Sequence, residues 1–326
     1  MTQIVLGADG AVHLEPLKPP PDPGPHDVLL APVHIGICGS DVHVLRKVHP
    51  FITPPVITGH ECVARVLSTG DAVTSCAPGD LVVVNPLHSC GKCPACLRGA
   101  TNLCSSAKVL GFGLPGLARD RVTVAGRFCH RVPAGVPSRL AALTEPLAVG
   151  RHAVSRAPAE PGRILIIGGG PVGLAVLLAA RGAGPITLVE PVQAKRDLAA
   201  ALGADRVLSP DETPPDADTT FDCVAAAPTL ATAARSTTPG GTIVVVGVPH
   251  DATEVALPRL QRWEIDVRGT GLYRGEDIDA VLAGPPADAE RLITAEFPSG
   301  RAADAFAATT DPDQIKVLIG WPDPAA

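Results

Sequence analysis

Charge is scarce in this chain: 18% of its 326 residues are Asp, Glu, Lys or Arg, against 46% hydrophobic. That balance excludes a self-repelling disordered tail and favours a compact globular fold. A basic run is missing, and 27 Lys and Arg against 33 Asp and Glu leave a formal charge of −6. Such a surface has little to offer a phosphate backbone or an anionic membrane, so no nucleic-acid or membrane partner is expected, and small-molecule chemistry is. A long hydrophobic run is missing as well. The best candidate, Ile164–Ala180, falls short of a membrane span and carries Gly168, Gly169, Gly170, Pro171 and Gly173 within it, the pattern of a strand, a turn and a helix. The opening residues lack the basic region and long apolar stretch of a secretory leader, which makes a cytoplasmic location the expectation. The nine cysteines are not spread like disulfide staples, since four crowd into the fifteen residues from Cys90 to Cys104.

The length suits two domains. The first third is rich in Pro and Gly, with short apolar runs at Val28–Leu30, Val56–Ile57 and Leu81–Val84 between turn signals, and reads as a β-rich domain. From Arg163 buried strands alternate with Ala/Leu helices: a strand at Ile164–Ile167, a helix at Pro171–Arg181, a strand at Ile186–Glu190 and a helix at Gln193–Leu202. Further strands at Arg206–Leu208, Phe221–Ala225, Thr242–Val246 and Ile265–Arg268 bring the number to six, as in a doubly wound dinucleotide fold. Ser209–Thr220 has no helical period and is expected to be a loop. Beyond Gly271 a helix near Asp277–Leu282, a segment at Leu292–Phe297, an amphipathic Ala302–Ala308 and Ile315–Ile319 are too short for a third domain. They are expected to complete the first.

Cys90, Cys93, Cys96 and Cys104 stand at C-x2-C-x2-C-x7-C, a spacing that lets four thiolates converge on one Zn²⁺ within a short loop. An iron–sulfur cluster is the main rival, but the bacterial ferredoxin run closes with three intervening residues and a Pro, whereas here the last gap is seven and Ser105 follows. With all four positions filled by protein, this zinc is expected to be structural.

Two further segments carry metal-type residues: Cys38-Gly39-Ser40-Asp41-Val42-His43 and Gly59-His60-Glu61. Each alone is weak. In order along the chain, these two, the four-cysteine loop, Thr144-Glu145-Pro146-Leu147 and a glycine-rich turn resemble the zinc-containing medium-chain dehydrogenase/reductase superfamily, over essentially the whole chain. Within it the chain looks most like the polyol branch of sorbitol, L-threonine and cyclitol dehydrogenases. There Glu145 falls in a Glu-Pro-Leu motif, where classical alcohol dehydrogenases carry a third zinc-binding Cys. The resemblance implies a catalytic Zn²⁺ held by Cys38, His60 and Glu61, with Glu145 as ligand or as the group that orients a zinc-bound water. It also implies Ser40 and His43 as the proton path from the substrate hydroxyl, and Asp41 as the group that orients His60.

Gly168-Gly169-Gly170-Pro171-Val172-Gly173 satisfies G-x-G-x-x-G between an expected strand and an expected helix, and Glu190 ends the next strand 22 residues after Gly168. The glycines Gly168, Gly170 and Gly173 permit the tight turn, Pro171 and Val172 open the helix whose N–H groups face the pyrophosphate, and Glu190 is placed for the ribose hydroxyls. The expected cofactors are therefore two Zn²⁺ per chain and NAD.

The sequence departs from the family at Arg65, next to the metal segments; at Leu117-Ala118-Arg119-Asp120, where an aromatic and acidic stretch is usual; and around Tyr273 and Arg274, the candidates for the nicotinamide side. The resulting expectation is an α/β protein. A GroES-like β-rich catalytic domain spans residues 1–146 and 272–326 with a zinc lobe at about 88–106, and a Rossmann NAD-binding domain with a doubly wound parallel sheet spans 147–271. Its expected reaction moves hydride between NAD and a secondary alcohol or ketone of a polyol, cyclitol or amino alcohol, in a homodimer or homotetramer. Two other readings stay open: a primary-alcohol or aldehyde dehydrogenase of the same superfamily, and a non-catalytic dinucleotide-binding member.

Overall fold

The computed structural model describes residues 1–249 and 253–324, and the chain divides into two compact units. One comprises Met1–Glu145 with Ile278–Ala326, the other Pro146–Asp277.

The first unit is built on a mainly antiparallel sheet. Strand β1 (Asp27–Ile37) pairs with β2 (Glu61–Thr69), which pairs with β3 (Leu81–Val84). The late strands Lys316–Gly320 and Ile293–Pro298 extend the sheet from the other edge of β1. Alternation explains the packing. Val28 and Leu30, Cys62, Ala64 and Val66, Val82 and Val84, and Val317 and Ile319 fall at every second residue of their strands, and all are buried in one cluster. Each fully buried Val, Leu or Ile of this face contributes roughly 1.5–3 kcal/mol of stability.

The second unit is a six-stranded parallel sheet in the order β6-β5-β4-β7-β8-β9, where β4 is Ile164–Ile167, β5 Ile186–Val189, β6 Arg206–Leu208, β7 Ala217–Asp222, β8 Thr237–Val245 and β9 Asp266–Gly269. This is the doubly wound order, and β4 is apolar and buried at all four positions because helices cover both faces. No helix links β6 to β7, as the loop expectation had it. That loop ends earlier than Thr220, however, since β7 begins at Ala217. Two threonines that look like loop residues are buried inside the strand because their hydroxyls are satisfied: Thr219 donates to the Pro161 carbonyl at 2.8 Å, and Thr220 pairs with Thr237 at 2.8 Å.

Candidate active site

The four-cysteine lobe closes on itself. A short helix, Pro94–Leu97, starts at Cys93, and the ligand atoms of Cys90, Cys93, Cys96 and Cys104 all lie within 4.8 Å of one another. Backbone N–H groups point at the sulfurs: Cys90 N–H donates to Cys104 Sγ at 3.4 Å and Cys93 N–H to Cys90 Sγ at 3.3 Å. Such donors favour thiolate, and the Cys96 N–H holds the Cys93 thiol down to about 6. Burial and the neighbouring Cys93 push Cys96 up to about 11. Four sulfurs this close ionise together only around a cation, so the lobe fits a closed tetrathiolate Zn²⁺ site.

The second group is assembled by strand pairing. Gly36 on β1 stands opposite Glu61 on β2, and Cys38 follows β1 at the start of helix α1 (Gly39–Leu45). Cys38, His60 and Glu61 thereby place a sulfur, an imidazole nitrogen and a carboxylate oxygen within 4.8 Å of one another. Gly36 is required here, because a Cβ would sit 2.0 Å from Glu61 Oε2. Asp41 ties the pieces together. Its Oδ2 accepts the Cys38 N–H at 3.0 Å, its Oδ1 accepts the Thr58 hydroxyl at 2.5 Å, and the carboxylate lies 3.7 Å from His60 Nδ1. Burial opposes a charge on His60, but Asp41 and Cys38 outweigh it and carry the imidazole up to about 10. A sulfur, an imidazole nitrogen and a carboxylate oxygen converging in this way are a donor set suited to zinc.

Lys316 is the residue that sequence reasoning missed. It is 1% exposed, and its Nζ donates to Glu61 Oε1 at 2.6 Å, to Oε2 at 2.7 Å and to the Ile37 carbonyl at 3.2 Å. Burial works against its charge, and Glu61, with Cys38 behind it, more than restores it. A signal was present: a lone Lys in the apolar strand Lys316–Gly320 is buried only if a partner awaits it.

Glu145 lies in the first turn of the helix Thr144–Ser155 and is buried, close enough for its charge to act on His60 and Lys316. It stands outside the three residues whose ligand atoms converge. Ser40 and His43 are three residues apart on α1, hence on one face, and both are half-buried. Arg65 turns away from this group: its guanidinium bonds Asp323 at 2.5 and 3.1 Å and the Gly79 carbonyl at 2.9 Å. Leu117 and Ala118 are fully buried, and Arg119 donates to the Gly116 carbonyl at 2.9 Å.

In the second unit, β4 runs into Gly168 and helix α2 (Pro171–Ala180), with Gly170 at its N-cap and Pro171 in its first turn. A Cβ on Gly173 would meet the Gly168 carbonyl at 1.9 Å, which is why helix and turn can pack only around glycine there. Glu190 follows β5, 6% exposed, and braces the turn: its Oε2 accepts the Gly169 N–H at 2.7 Å and its Oε1 the Val192 N–H at 2.9 Å. The helix after it begins at Gln193, as expected, with Val192 at its N-cap and its N–H engaged by Glu190. Arg196 folds back on the Glu190 and Pro191 carbonyls at 2.5 and 2.7 Å. Tyr273 is 1% exposed and Arg274 pairs with Glu276 at 3.1 Å.

Residues 24–134 match the alcohol dehydrogenase GroES-like domain, and residues 171–284 match the zinc-binding dehydrogenase domain. The sorbitol dehydrogenase of Ovis aries is 32% identical, with 97% of this chain and 95% of that protein covered. An L-idonate 5-dehydrogenase of Vitis vinifera is 34% identical over 78% of this chain and 75% of its own length. Among solved structures, a Sinorhizobium meliloti 1021 protein bound to NADP superposes with a TM-score of 0.89 at 28% identity, over 98% of this chain and 99% of that one. The first matched domain carries both metal-type groups and the second begins inside the dinucleotide turn at Pro171, and the chain belongs to the zinc-containing medium-chain dehydrogenases, in the branch of the sorbitol and L-idonate dehydrogenases.

Proposed function

We propose that this chain is a zinc-dependent dehydrogenase that moves hydride between NAD and a secondary alcohol of a polyol, cyclitol or amino alcohol. The observation that carries the reading is the convergence of Cys38, His60 and Glu61 within 4.8 Å, braced by Asp41 and Lys316, in a chain that also holds a complete dinucleotide turn. When bound, the metal supplies Lewis acidity that lets a substrate hydroxyl lose its proton near neutral pH. The carbinol carbon gives its hydrogen and the bonding pair to the nicotinamide, leaving a ketone, and the hydroxyl proton departs separately. Ser40 takes the hydrogen bond from that hydroxyl, and His43 hands the proton on to solvent. Asp41 keeps His60 oriented, Glu145 adds negative charge to the pocket, and Glu190 faces the adenosine ribose.

Cys90, Cys93, Cys96 and Cys104 would hold the structural zinc. The nine cysteines are unpaired and partly grouped for metal, which suits the reducing cytoplasm. No helix of the described residues is long and apolar enough to cross a membrane. The edge strand β9, with Val267 46% exposed, supports assembly as a homodimer or homotetramer. The test is NADH formation across sorbitol, cyclitols, amino alcohols and simple alcohols. Turnover confined to primary alcohols, or none with zinc-replete protein, would contradict the proposal.

A further inference from the structure

Three aromatic rings run outward from His60. The Phe112 ring lies 4.6 Å from the His60 ring at a 51° tilt, the His49 imidazole stacks on Phe112 at 5.4 Å and 12°, and Phe51 meets the edge of His49 at 6.2 Å and 71°. The chain has only six Phe, one Tyr and two Trp, so two Phe in one row is a concentration. The outer ring is bare: Phe51 is 82% exposed.

The segment that carries this row is shaped locally. Helix α1 ends in a Schellman motif, with Val48 N–H bonded to the His43 carbonyl and Lys47 N–H to the Val44 carbonyl, both at 2.9 Å, and with Lys47 in the left-handed region at φ 61°. The chain then reverses, and His49 fixes the residues just beyond it. Its Nδ1 accepts the N–H groups of both Phe51 and Ile52 at 3.2 Å, and Ile52 packs on the hydrophobic core of the first unit. A nitrogen that accepts twice carries no proton, so the ring donates through Nε2 alone.

We propose that His49 is a positioning residue for substrate. It pins Pro50–Ile52 through its nitrogen and holds Phe112 beside His60 through its ring. The candidate metal group is thereby given an uncharged aromatic wall. Such faces carry negative π-density and pack against polarised C–H bonds, so the wall takes the carbon face of an extended or cyclic polyol beyond the reacting carbon. This assignment rests on the reading of the Cys38, His60 and Glu61 group as the polyol-oxidising centre.

The experiment compares the zinc-loaded wild type with His49→Asn and His49→Ala. Asn retains an acceptor for the two N–H groups but cannot stack, while Ala retains neither. Sorbitol and myo-inositol serve as extended and cyclic substrates, and 2-propanol as one too small to reach the wall. In both variants the KM for the polyol is expected to rise about tenfold, with kcat and the 2-propanol constants within about twofold and zinc content unchanged. Chymotrypsin is expected to cut after Phe51 faster in His49→Ala and at the wild-type rate in His49→Asn. An unchanged polyol KM in both variants, an equal loss for 2-propanol, or unchanged cleavage in His49→Ala would overturn the assignment. Should the wild type oxidise none of these alcohols, the proposed reaction fails first, and the cleavage rates still decide whether His49 pins the segment.

Discussion

Replacing Lys316 by Met probes a fully buried ion pair in the first unit. The pair it would break is 1% exposed on both sides, with Nζ to carboxylate distances of 2.6 and 2.7 Å. At 2.6 Å and an effective dielectric of about 20, the Coulomb attraction is about 6 kcal/mol, much of it offset by the desolvation of two ions. The net worth of the pair is therefore small. Removing one partner is another matter, because Glu61 then stays buried and uncompensated, at a cost of about 3–5 kcal/mol. Guanidinium melts of protein holding one zinc per chain, in the four-cysteine lobe, should show that loss, and the thermal midpoint should fall by on the order of 10 °C. Combining Lys316→Met with Glu61→Gln removes both charges and should recover at least about half of it, since a neutral amide is cheaper to bury than an unpaired carboxylate. A Lys316→Met protein within about 1 kcal/mol of wild type, or a double variant no better than the single one, would refute the reasoning.

The Ser40→Ala variant should lower hydride transfer by about a hundredfold or more, and His43→Gln should lower it less while shifting its pH dependence, as single-turnover rates across pH would show. The Glu190→Ser variant should lose preference for NAD over NADP in kcat/KM, because a carboxylate at that position repels a ribose phosphate; it should also lose some stability, since both oxygens brace backbone N–H groups. His34 is expected to make the fold acid-sensitive. Burial lowers its pKa from the ordinary 6.5 despite Glu296 at 3.2 Å, so the unfolded chain binds the proton first and stability falls as pH drops below about 6.5. His34→Gln should flatten that part of a pH series of melts.

Legibility in the sequence followed the range of each interaction. The four-cysteine lobe could be read directly because all its donors lie within one short loop, and the dinucleotide turn because strand, glycines and helix are contiguous. Cys38, His60 and Glu61 became visible only through their order relative to other motifs, since what joins them is the pairing of Gly36 with Glu61 across two strands. Lys316 lies 255 residues from Glu61, and no local pattern names its partner. Arg65 looked out of place beside the metal segments only because its partner, Asp323, comes from the far end of the chain.

Zinc dependence of NADH formation tests the central claim most directly. Metal-free protein, refolded and titrated with Zn²⁺, should fill the closed tetrathiolate group first and the Cys38, His60 and Glu61 group second. With a secondary polyol and NAD present, NADH should appear only as zinc rises from about one to about two ions per chain and should reach its full rate at two. Full turnover at one zinc or none, or a requirement for iron in place of zinc, would contradict the account.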